Sequence, residues 1–168
     1  MSSRQQTPLT YVDFFTTTHR ISCGIQPSVA PLSDQLNDHS QSYLMVSNVY
    51  ISRLDTPGDI GAHASVAYLS KENLTFVIAP AREVRISEAG RFTAQEYQAL
   101  ISVPGFEVRG RFHGPSRIHL RSFSPAALDA FVVLLEATAQ STTSPNTVFS
   151  GEVILINRAR LESLCLGD

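Results

Sequence analysis

The chain has 168 residues, 43% hydrophobic and 17% charged, which fits one domain or two small halves sharing a core and excludes extensive disorder. Its formal net charge of -2 leaves no global field to draw it onto nucleic acid or a membrane. Lys71 is the only lysine, and the remaining cations are arginines, which favour planar, bidentate contacts. Cys23 and Cys165 lack metal or redox spacing and read as structural thiols. The N-terminal stretch has no basic segment followed by an apolar run, and FVVLLEATA is too short to span a bilayer. The expectation is a soluble, cytoplasmic protein with no membrane association.

In chain order, residues 1–12 read as a flexible arm, and the Thr- and Ile-rich run 14–26 as a first strand. Leu32 and Leu36 fall on one face of a short helical turn, with Ser33 as its cap and Asn37 ending it in a left-handed conformation. Residues 43–53 are β-branched and apolar, as in a buried strand. Asp55, Thr56, Pro57, Gly58 and Asp59 form a turn. Residues 63–69 and 74–79 then read as a hairpin around Ser70, Lys71, Glu72 and Asn73.

The connector 81–105 offers an edge strand over 82–86 and a helix behind the capping box Thr93-Ala94-Gln95-Glu96, with Tyr97, Leu100 and Ile101 as its apolar face. Residues 106–114 and 117–123 alternate as strands. Ser124 and Pro125 open a helix that propensity alone would carry to Gln140. An internal repeat argues instead for a short helix to Asp129 and a strand over 131–139. Residues 43–49 lie over 131–137, and 74–78 over 152–156. Ser150 and Gly151 read as a tight turn before the last strand.

The expected fold is therefore α+β and mostly β, built from two pseudo-repeats of strand, short helix, strand and hairpin sharing one core. Its divisions are an arm (1–12), a first β-rich repeat (13–80), a connector with a short helix (81–105), a second β-rich repeat (106–160) and a tail (161–168).

The stretch PLSDQLN, followed by YLMVSNVYISR and VAYLSKENLTFVIAP, resembles a family of small bacterial proteins, a domain of unknown function, that carries an Arg-Leu-Ser-Asp-x-Leu-Asn motif ahead of such strands. Pro31 stands where that motif has arginine. The resemblance implies the fold and no particular activity. A weaker similarity, through Asp34 and Asn37 before a strand, is to Sm-like barrels.

Two constellations are candidate sites. Arg109, Arg111 and His113 share one face of a strand, and Arg117, His119 and Arg121 share a face of the next. Together they would suit phosphate or carboxylate groups, or serve as a solvated face paired with Glu83, Glu88, Glu96 or Glu107. Asp34 and Asn37 could hydrogen-bond a partner or cap locally. No nucleophile elbow, metal spacing, phosphate loop or dinucleotide fingerprint occurs, so no catalytic residue, metal ligand or cofactor is assigned. The expected function is a non-catalytic interaction or assembly module, working as a homo-oligomer or with a protein partner. The alternative is a binder of an anionic ligand or nucleic acid through the arginine face.

Overall fold

In a computed structural model, the protein is described over residues 8–27, 30–85, 94–115 and 129–167. The expected arginine strand over 117–123, with Arg117, His119 and Arg121, and the helix start at Ser124 and Pro125 lie outside these residues.

The chain is mostly β. Ten strands form one antiparallel sheet: β1 (Thr10–Phe15), β2 (His19–Ile25), β3 (Tyr43–Arg53), β4 (Ile60–Ser70), β5 (Phe76–Ala79), β6 (Ala94–Val103), β7 (Phe106–Pro115), β8 (Phe131–Ser141), β9 (Val148–Asn157) and β10 (Ser163–Gly167). Their order across the sheet is β10-β6-β7-β8-β9-β5-β1-β2-β3-β4, so β10 and β4 are its ends. The one α-helix among the described residues is the six-residue α1 (Leu32–Asn37).

The apolar side chains divide into two clusters rather than one core. Side chains alternate across a strand, so on β9 Val153 and Leu155 enter the first cluster while Ile154 and Ile156 enter the second. Likewise Phe14 on β1 and Val77 on β5 face the first, and Phe15 and Phe76 face the second. The central strands β9, β5 and β1 are therefore covered on both sides. In the second cluster Phe15 and Phe76 stack with centroids 4.3 Å apart, and Phe106 meets Phe76 edge-on at 5.1 Å.

Several local expectations are corrected by the turns and strand pairings that form. The strand begins at Thr10, inside the expected arm, where Val12 is already buried. The run 14–26 is two strands, because Thr16 Oγ1 accepts the His19 N–H at 3.0 Å and turns the chain between them. The capping-box segment is not a helix. Ala99, Ile101 and Val103 alternate inward as β6, with β7 on one side and β10 on the other. Gly105, at φ +81, makes the β6–β7 turn. In place of the edge strand over 82–86, residues Ala81–Glu83 form a 3-10 turn.

The expected hairpin of 63–69 with 74–79 does not form. β4 pairs with β3, and the 3-10 turn Lys71–Asn73 carries the chain across to β5, between β1 and β9. Residues 74–78 and 152–156, aligned above as equivalent strands, are neighbours instead: Phe76 faces Ile156, and Ile78 faces Ile154. Ser150 and Gly151 lie within β9, not in a turn, and a Cβ at Gly151 would meet the Ile78 side chain. Residues 131–141 form a strand, which excludes a helix reaching Gln140. Segment 163–167, expected in the tail, extends the sheet beside β6.

Candidate functional site

The motif around α1 is occupied within the chain. Leu32 and Leu36 are buried in the first cluster. Ser33 does not cap the helix: its Oγ accepts the Arg85 N–H at 2.8 Å. The Asp34 carboxylate pairs with the Arg85 guanidinium at 3.0 Å. Asn37 does not adopt the left-handed conformation; its Oδ1 accepts the Phe131 N–H at 3.1 Å, tying α1 to β8. Lys71 is buried below the helix end, where its ammonium donates to the carbonyls of Gln35 and, at 3.0 Å, Asp38. Burial pushes its pKa down, opposed by the Asp38 carboxylate. These contacts fix α1 on the sheet, with both Asp34 carboxylate oxygens paired to Arg85 at the surface.

The described part of the arginine face is charge-balanced. Arg109, Arg111 and His113 do share one side of β7, since Val108 and Phe106 turn inward. Arg111 reaches Glu96 at 3.1 Å and Glu136 at 2.8 Å, Arg109 reaches Glu107 at 3.7 Å, and His113 reaches Glu96 at 3.2 Å. An anion approaching these three residues meets three carboxylates already in place.

A groove of about 250 Å³ is lined by Tyr11, Asp13, Ser22, Cys23, Ile78 and Glu152, among others. Its polar groups serve the fold: Asp13 takes hydrogen bonds from Arg20 and Ser22, and Glu152 accepts the Ala81 N–H at 2.8 Å. Burial, aided by the Asp13 charge, pushes the Cys23 thiol up to about 12, so it is not a nucleophile at neutral pH. Among the described residues no group of three His, Cys, Asp or Glu side chains is placed to hold a metal, and no helix is long and apolar enough to cross a membrane.

The feature that sequence reading missed is the β4 end of the sheet. β4 is an eleven-residue strand, IGAHASVAYLS, with no Lys, Arg, Asp, Glu or Pro. Sheet ends are ordinarily blunted by charge, proline or brevity. Beside its free edge stands an exposed apolar surface of Tyr43 and Met45 on β3 and Val66 and Tyr68 on β4, with Tyr68 69% exposed. Met45 lies directly opposite Tyr68, and Ser47 opposite Val66. The absence of charge was legible in the sequence, but the strand's position at an edge was not.

No family model, no curated protein and no solved structure matches this chain.

Proposed function

We propose that this protein is a non-catalytic assembly module whose free strand β4 and adjoining apolar face dock another polypeptide. The observation that carries this reading is the long, uncharged edge beside Tyr43, Met45, Val66 and Tyr68. Backbone N–H and C=O groups along such an edge gain partners when a strand is added, and flanking apolar side chains give the contact its area.

The reading includes a pseudo-repeat of two five-stranded units, β1–β5 and β6–β10, each ordered fifth-first-second-third-fourth in the sheet. Its support is a register that recurs 87 residues on. Asp13 opposite Ser22 recurs as Leu100 opposite Arg109, Phe14 opposite Val77 as Ile101 opposite Leu164, and Ser47 opposite Val66 as Leu135 opposite Val153. The third strands are displaced by one residue more, which lays Tyr43 over Phe131 and Asn48 over Glu136. Asn48 (φ 50) and Glu136 (φ 47) are the only non-glycine residues with positive φ among those described. Loop hydrogen bonds follow the same spacing: Thr75 N–H to Phe15 O at 2.7 Å, and Glu162 N–H to Ser102 O at 2.9 Å. The short-helix half of the repeat rests on α1 alone, since the corresponding segment lies outside the described residues.

The test is a photoreactive residue at position 68, introduced in the cells from which the protein comes. A discrete covalent adduct to a polypeptide is expected there, and none from the same group at Thr56 in the β3–β4 turn. Equal or absent labelling at both positions would overturn the docking reading.

A further inference from the structure

We propose that the polypeptide docked on β4 is a second copy of this chain, offering its β10, so that copies join head to tail as β5 and β9 join within one chain. This inference rests on the docking reading above and names its partner.

Among the described residues, the two open ends of the sheet are β4 and β10. Under the 87-residue correspondence β4 matches β9 and β10 matches β5. The matched strands already pair at the centre of the sheet, Val77 opposite Leu155, Ile78 opposite Ile154 and Ala79 opposite Val153. Each open end is thus the unpaired equivalent of one side of an existing junction.

Exposure follows the same logic. On β8 and β9, Phe131, Val153 and Leu155 are 3%, 1% and 0% exposed, because β5, β1 and α1 complete the first cluster around them. Their counterparts Tyr43, Val66 and Tyr68 are 61%, 48% and 69% exposed, with no strand beyond β4 among the described residues. Residues that are apolar at both sets of positions, yet covered at one only, call for the same cover at the other. The side chains matching Val77 and Ala79 are Leu164 and Leu166, which are only partly buried at the β10 edge. Carried over to the junction between copies, the register sets Leu164 opposite Tyr68, Cys165 opposite Ala67 and Leu166 opposite Val66. One pair is weaker than its internal model: Phe76 opposite Ile156 becomes Ser163 opposite Leu69. Contact between copies is therefore looser than the covalently linked junction inside the chain. Head-to-tail pairing closes into a ring when the rotation allows, and otherwise extends.

The register makes the test direct. Cys165 is free and exposed, whereas Cys23 is buried. Directly opposed residues of antiparallel strands have Cα atoms roughly 4.5–5.5 Å apart, within disulfide reach. Ala67→Cys under mild oxidation should give covalent multimers through Cys165, lost on adding Cys165→Ser and absent from Ala62→Cys. Light scattering on the unmodified protein should report a mass that is a multiple of 18.4 kDa. Val66→Lys with Tyr68→Lys, both at exposed positions, should return it to that of one chain. Multimers that persist in Ala67→Cys with Cys165→Ser would mean that β4 pairs with β4, overturning the head-to-tail arrangement while leaving β4 as the docking edge. A single-chain mass at every concentration, with no disulfide, would overturn the second-copy assignment; adducts of position 68 with a different polypeptide would still uphold the docking reading.

Discussion

Asn157 offers a quantitative test of how the crossing between strands is held. It is 4% exposed at the end of β9. Its Nδ2 donates to Leu74 O at 2.8 Å and lies within reach of the carbonyls of Lys71 and Glu72 at 3.3 and 3.4 Å. Its Oδ1 accepts the Ala159 N–H at 3.0 Å. One amide thus satisfies the turn that sends the chain from β4 to β5 and the turn that follows β9. Asn157→Ala removes two to three hydrogen bonds and leaves the buried Leu74 carbonyl without a donor, for a loss of about 2–4 kcal/mol. At about 2–4 °C per kcal/mol for a chain of this size, the melting temperature should fall by roughly 4–16 °C. Asn157→Asp keeps the acceptor but sets a carboxylate against the same carbonyls, so at neutral pH it should be the worse of the two. Its carboxyl pKa would be raised in the fold, so the deficit should shrink as pH falls toward the carboxyl's ordinary range, where the protonated group can donate. Urea denaturation of both variants at two pH values measures this. An Asp variant as stable as the Ala variant at neutral pH would refute the donor role of Nδ2.

What the sequence disclosed was local. α1 and β3 were legible as a helix and a strand from their apolar spacing and β-branched content. β3, expected buried, hides only the face of Leu44 and Val46 and exposes Tyr43 and Met45. The strand β8 was legible only by comparison of its residues with β3, against a helical propensity that Leu128, Phe131, Val132 and Leu135 would satisfy. For β6 two periods coexist in the same residues: Tyr97, Leu100 and Ile101 suit a helix, while Ala99, Ile101 and Val103 suit a strand. The Pro104-Gly105 turn that pairs β6 with β7 as a hairpin decides for the strand, and distant β10 completes the pairing on the other side. Distant partners matter at the candidate sites too. Asp34 and Asn37 stand out as polar residues ahead of a strand, yet their partners Arg85 and Phe131 lie 51 and 94 residues away. Nothing short of the strand order reveals that IGAHASVAYLS is an edge.

Further outcomes follow from single positions. Cys165 should react with a thiol reagent at neutral pH and Cys23 only on unfolding; two rapid equivalents would contradict the burial of Cys23. Because the Cys23 pKa is raised from 9.0 to about 12 in the fold, its contribution to stability is full below 9 and is lost as pH rises toward 12. Gly151→Val should lower stability by about 1–3 kcal/mol by forcing Ile78 out of the β5–β9 seam, and an unchanged denaturation midpoint would count against that seam. Glu136→Gly should raise stability by up to about 1 kcal/mol, since φ 47 is costly for a glutamate and its ion pair with Arg111 is exposed; a loss would show that the pair outweighs the backbone. The last outcome concerns Arg109 and Arg111, changed together to Gln. Their carboxylate partners Glu107, Glu96 and Glu136 are 44%, 43% and 74% exposed, so each broken pair costs at most about 1 kcal/mol. With those carboxylates in place, the unmodified protein should pass through heparin at low salt without retention, and the double variant should differ from it only by a small fall in melting temperature. Retention that declines steeply with salt and vanishes in the variant would instead mean that the arginines leave their carboxylates for phosphates, because a salt-dependent affinity of that kind requires counterion release at the very groups replaced.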